Sequence, residues 1–121
     1  MTKRVVDPKV LLAREWSEAS LQNAIVEVAT MLGFLVYHTH DSRRSQAGEL
    51  DLHLVSRTVP SRDIHSELKG YDSRGHLGQL SAEQWEWLYW LQQGDGEAYL
   101  WTPEDWLENH IIAILKGEET T

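Results

Sequence analysis

The chain contains no cysteine, so disulfides and thiolate metal sites are excluded. No apolar run reaches the ~20 residues that span a bilayer, and no signal peptide is visible, so a cytoplasmic location with no membrane partner is expected. Proline occurs three times, and each copy punctuates an element: Asp7-Pro8, the stretch SRTVPSRD around Pro60, and Thr102-Pro103. Basic residues are scarce towards the C-terminus. Residues 77–121 carry one basic and nine acidic side chains, against four of each in 1–37 and six of each in 38–76. The net charge of −8 therefore arises in the last third alone. A uniformly acidic surface would disfavour phosphate-rich partners. This distribution instead leaves Arg43, Arg44, Arg57, Arg62, Lys69 and Arg74 in a neutral middle segment that also holds five of the six histidines.

No internal repeat or low-complexity segment occurs, and 121 residues suffice for one modest core, so one domain spanning 1–121 is expected. Asp7 and Pro8 predict a short first helix, with aspartate as N-cap and proline at the first position. A second helix is predicted from Ser17 to Gly33, its Leu21, Ala24, Ile25, Val28, Ala29 and Leu32 recurring at three- and four-residue spacing. Phe34–His40, Glu49–Val55, Ile64–Lys69 and Glu97–Trp101 read as strands. Helices are predicted from Ser81 to Gly94 and after Thr102-Pro103, the latter turning Leu107, Ile111, Ile114 and Leu115 inward. The fold class is α/β, a mixed sheet with flanking helices in the order ααβββαβα.

Alternation within two strands isolates the chemistry. Leu50, Leu52 and Leu54 are expected on one face of the first run, with Glu49, Asp51 and His53 on the other. In the second run Ile64, Ser66 and Leu68 alternate with His65, Glu67 and Lys69. A turn centred near Val59 sets Asp51 across from Glu67, with Cβ atoms about 5 Å apart. Two carboxylates that close repel unless a cation lies between them. Mg²⁺ suits such a pair, because it takes oxygen ligands and is usually held by one or two carboxylates plus phosphate oxygens. An ammonium at Lys69 would orient an attacking water or stabilise charge developing on phosphorus. Ordinary surface charges on a solvent-facing strand pair account for the same pattern.

Further segments carry a resemblance. They are EASLQ (18–22), LGFLVYHTHDSRRS (32–45), GELDLHLV (48–55), ELKG (67–70), LSAEQWEWL (80–88) and YLWTPEDW (99–106). Together they resemble, from about Ser17 to Trp106, the VRR-Nuc domain, a branch of the PD-(D/E)xK nuclease superfamily common in phages and bacteria, within an expected domain core of about 17–116. The resemblance implies a restriction-endonuclease-like fold and a Mg²⁺- or Mn²⁺-dependent phosphodiesterase in a bacterial or phage-infected cell. It implies Asp51, Glu67 and the Leu68 carbonyl as metal ligands and Lys69 as the catalytic lysine. Gln84 matches the glutamine of the helix after the ExK strand, and Glu18 the acidic residue of the first core helix. Leu50 stands where the family usually has proline.

Some of these residues have a second explanation. Ser81-x-x-Gln84 is also a capping box. His38 and His40 alternate onto one strand face, where imidazoles would suit zinc, although the resemblance of the YHTHDSRRS run favours a DNA- or metal-adjacent role for them. Arg43 and Arg44, flanked by Ser42 and Ser45, make either a solvated loop or a phosphate clamp. With Arg57, Arg62, Lys69 and Arg74 they form the expected nucleic-acid face. The expected activity is an endodeoxyribonuclease, structure-selective in the manner of a Holliday-junction resolvase. The alternatives are a catalytically weak DNA-binding or packaging accessory protein and a nicking or restriction-type duplex nuclease. Trp85, Trp87 and Trp90 cannot all face one core. One or two should join Leu88 and Leu91 in the apolar stripe, and the remainder predicts a homodimer interface.

Overall fold

The computed structural model describes residues 7–39 and 48–118. Helix α1 (Pro8–Ala13) opens with the Asp7 carboxylate accepting the Lys9 N–H at 2.9 Å. Helix α2 (Glu18–Met31) is capped by Ser17, whose hydroxyl accepts the Ser20 N–H at 3.1 Å. Gly33 follows with φ +92°, the left-handed position at which helices stop. Strands β1 (Phe34–His38), β2 (Leu52–Ser56) and β3 (Asp63–Leu68) pair antiparallel in that order. Helix α3 (Ala82–Gln93) then crosses over, so that β4 (Glu97–Trp101) pairs parallel with β3. Helices α4 (Pro103–Leu107) and α5 (His110–Leu115) close the order. The α/β class and the predicted succession of elements are thus observed.

The main core lies between one sheet face and helices α2 and α5. Leu21 and Ile25 of α2, Leu52 and Leu54 of β2, Ile64 and Leu68 of β3, and Ile111 of α5 are all fully buried in it. Each contributes roughly 1.5–3 kcal/mol by leaving water. On the opposite face α3 seals a smaller cluster of Leu50, Leu88 and Ala98. No helix among the described residues is long and apolar enough to cross a membrane.

Four local expectations are corrected. Leu50 does not share a face with Leu52 and Leu54, because the chain bends at Asp51 before β2 begins and sends Leu50 beneath α3. Strand β1 ends at His38 rather than His40. The last helix is broken: Asn109 takes φ +64°, a conformation asparagine tolerates well. The break lets α4 pack on α1 while α5 packs on α2. Finally, the α3 stripe uses Leu88 and Leu91, and Trp85, Trp87 and Trp90 all remain exposed.

Candidate active site

The β2–β3 register is the one a turn centred at Val59 dictates, with Leu52 opposite Ser66 and His53 opposite His65. One step further, Asp51 lies across from Glu67. The bend at Asp51 replaces a ladder contact with a side-chain one: Asp51 Oδ2 accepts the Leu68 N–H at 2.9 Å. A strand residue's N–H and C=O point to the same edge, so the Leu68 carbonyl also faces the Asp51 side. Glu18, at the first position of α2, completes a group in which one carboxylate oxygen each from Glu18, Asp51 and Glu67 lie within 4.8 Å of one another. Glu49 is exposed and outside this group.

Glu67 is only 1 % exposed. Gln84 explains half of its environment: the Gln84 side-chain amide donates to Glu67 Oε1 at 2.9 Å while its oxygen accepts the Ser81 N–H at 2.9 Å. The capping box and the contact to the acidic group are therefore one device, which fixes the rotamer that presents the amide. The other oxygen, Glu67 Oε2, is buried without a hydrogen-bond partner. The Lys69 ammonium stands 3.9 Å from Glu67 Oε1. Three carboxyl groups thus face one cation. Burial first, and then the neighbouring Asp51 carboxylate, push the Glu67 carboxyl up to about 9. Burial and Asp51 also raise that of Glu18. An oxygen-ligand divalent cation fits this set: it would give the orphaned Oε2 a partner and neutralise the crowding.

The pH consequence has a definite sign. A carboxyl held above its unfolded value binds more protons folded than unfolded. The stability it contributes is complete below its ordinary value of 4.5 and is lost as pH rises towards about 9. In metal-free buffer the melting temperature is expected to fall across that window. Thermal denaturation as a function of pH checks this, and Glu67→Gln should flatten the slope.

Two glycines make the assembly possible. A Cβ on Gly70 would lie 2.1 Å from the Glu18 backbone nitrogen and 2.4 Å from the Ser17 carbonyl carbon. The chain leaving β3 therefore passes backbone against backbone over the start of α2, which is how Glu18 reaches Glu67. The Tyr71 N–H, bonded to the Trp16 carbonyl at 2.9 Å, holds the crossing. Gly48 approaches the Glu83 backbone of α3 in the same way, at 2.6 Å, and has φ +86°. Gly70→Ala is expected to lower the melting temperature by about 5 °C or more, since overpacking against rigid backbone typically costs ~1–3 kcal/mol. A melting curve superimposable on wild type would contradict the close approach.

The predicted basic face is only partly assembled. Lys69 belongs to the cluster, and Arg74 is exposed in the loop that follows. Arg62 sits at the other end of β3, engaged with Glu97 through bonds of 2.9 and 2.7 Å and with the Leu115 carbonyl. Arg57 lines a surface cavity at that same end with Arg62 and Lys116. His38 meets Gln22 at 3.5 Å and belongs to no three-residue metal group among the described residues. His40, Arg43 and Arg44 lie outside the described residues. Sequence reasoning missed the roles of Gly48 and Gly70, although GELD and ELKG contain them. No protein-family model, curated protein or solved structure matches the chain significantly.

Proposed function

We propose that the protein is a Mg²⁺- or Mn²⁺-dependent endonuclease that hydrolyses phosphodiesters in DNA, of the VRR-Nuc type its motifs resemble. One observation carries this reading: a buried glutamate with an unpartnered oxygen, Glu67, beside Asp51, Glu18 and a lysine 3.9 Å away. Asp51, Glu67 and the Leu68 carbonyl would hold the metal, with Glu18 as a further ligand directly or through water. Such an ion polarises a phosphodiester, lowers the pKa of a water and stabilises the leaving oxygen. Gln84 fixes the Glu67 carboxylate in one orientation. Lys69 orients the attacking water or meets charge developing on the phosphoryl oxygens. Helices α2 and α3 both begin at this site, with Glu18 and Gln84 in their first turns, so their positive ends favour an incoming phosphate. Arg74, His40, Arg43 and Arg44 are the candidate contacts to the rest of the DNA.

The proposed substrate is branched DNA cut by a homodimer, which would set two sites in opposed orientation on a symmetric junction. The exposed tryptophans support an interface: Trp85, Trp87 and Trp90 are 58, 38 and 64 % exposed on one twelve-residue helix. Labelled four-way junction, flap and linear duplex tested side by side separate the possibilities. Preferential junction cleavage supports the structure-selective enzyme. Equal cleavage of linear duplex indicates a nicking or restriction-type nuclease. Binding without cleavage in either metal indicates an accessory protein. Sedimentation equilibrium at micromolar concentration is expected to give twice the 14.0 kDa chain mass. A monomeric mass with and without DNA would remove the dimer and move flap or single-strand cleavage ahead.

A further inference from the structure

A second cluster of ligand-type side chains lies on the face of the sheet that carries Glu67, two residues back along β3. His53 and His65 are direct cross-strand partners. Their rings stack with centroids 4.1 Å apart and planes 17° from parallel. Asp63 precedes His65 by two residues and so shares its face. The two Nε2 atoms converge on a single oxygen: His53 Nε2 and His65 Nε2 both contact Asp63 Oδ1, the latter at 3.2 Å. All three ligand atoms lie within 4.8 Å of one another. The side chains are partly open to water, with His53 at 40 %, His65 at 26 % and Asp63 at 55 %.

We infer that His53, Asp63 and His65 form a second metal site, which takes a d-block divalent cation of the zinc class. Donor type carries the assignment. Two imidazoles and one carboxylate suit Zn²⁺ and its neighbours, whereas carboxylates and carbonyls suit Mg²⁺ and Mn²⁺. The acidic cluster offers oxygen donors alone, so the two imidazoles distinguish this site in the metals its donors suit. Donor spacing fits for one pair: zinc bonds of about 2.0–2.2 Å place tetrahedral ligand atoms ~3.3 Å apart, close to the His65–Asp63 spacing, whereas the stacked imidazoles must turn out of their face-to-face arrangement to aim both Nε2 atoms at one ion. Three protein ligands leave a fourth position for water or an outside group. All three ligands stand on adjacent strands of a hydrogen-bonded sheet, so the backbone is already ordered and only the side chains reorient on binding. The bound ion would also tie β2 to β3 two positions along the ladder from Asp51 and Glu67. None of this depends on the nuclease reading, because the acidic cluster uses different residues.

The test reads metal binding rather than cleavage. Wild-type protein in millimolar Mg²⁺ is titrated with Zn²⁺ against a chromophoric chelator, and separately with Co²⁺ as a spectroscopic probe. One Zn²⁺ per chain is expected, together with Co²⁺ visible bands of the intensity given by tetrahedral nitrogen–oxygen coordination. Both signals should persist in Asp51→Asn with Glu67→Gln. Both should be lost in His53→Asn with His65→Asn, with affinity weakened by about a hundredfold or more, since even outer-shell changes cost 10–100-fold. Asp63→Asn alone should weaken binding while leaving both histidines in place. The proposal is overturned if wild type takes up no Zn²⁺ in Mg²⁺, or if the double histidine variant binds as wild type does.

Discussion

Glu67→Gln is expected to abolish metal-dependent cleavage while raising the melting temperature of the metal-free protein. The substitution keeps the shape of the side chain. Its amide oxygen can still accept from Gln84, which lies 2.9 Å from Glu67 Oε1, and its amide nitrogen can donate to the Asp51 carboxylate without the proton that Glu67 must take up to do so. The buried oxygen without a partner disappears. Removing a crowded charge and an unsatisfied atom together is worth at least ~1 kcal/mol, or about 4 °C or more for a chain of this size. Activity moves the other way. Loss of about 4 kcal/mol of transition-state charge stabilisation corresponds to about a thousandfold in rate. A variant that is less stable at pH 8 without metal, or that retains cleavage, would contradict the role given to Glu67.

Lys69→Ala is expected to reduce the cleavage rate by about a hundredfold to a thousandfold, with DNA affinity changed by less than about threefold. The ammonium lies within the acidic cluster, 3.9 Å from Glu67 Oε1 and largely shielded from solvent. Its stem packs close to Gly78, where a Cβ would fall 3.3 Å from the lysine Cδ. A cation held that way acts on charge that develops in the transition state rather than on the ground-state backbone. Single-turnover cleavage and equilibrium binding, measured on the same DNA, separate the two. If affinity falls as steeply as rate, Lys69 is a phosphate anchor.

Local patterning made much of this site legible. Alternation in LDLHLV and IHSELK, with a turn centred at Val59, is enough to set Asp51 against Glu67, because register follows from the turn once both strands are recognised. The same register sets His53 opposite His65. The alternation that gathers Asp51 and Glu67 onto one face gathers His53 and His65 with them, and neither run alone shows that the two rings meet. Ser81-x-x-Gln84 announced a helix start, but not that the capping glutamine would turn its amide onto Glu67, which depends on where the crossover helix lands. The burial of Glu67 was hidden for the same reason: alternation distinguishes two faces without saying that α3 covers the second. The bend at Asp51, the break at Asn109 and the backbone crossing at Gly70 all answer to tertiary packing, and no window of a few residues encodes them. The tryptophans of α3 are a mismatch of the same kind: the stripe expected to take one or two of them is filled by Leu88 and Leu91, and all three stay exposed.

If Asp51 and Glu67 hold the proposed ion that activates water for phosphodiester hydrolysis, cleavage must need both the metal and Asp51. Purified wild-type protein and Asp51→Asn are incubated with labelled DNA substrates in Mg²⁺, in Mn²⁺ and in excess EDTA, after both proteins are shown to melt cooperatively. Asparagine retains an oxygen that can accept the Leu68 N–H, so the fold is expected to survive. The expected result is cleavage by wild type in either metal, none in EDTA, and none by Asp51→Asn under any condition. Cleavage by wild type that persists in excess EDTA, or equal cleavage by Asp51→Asn, would contradict it.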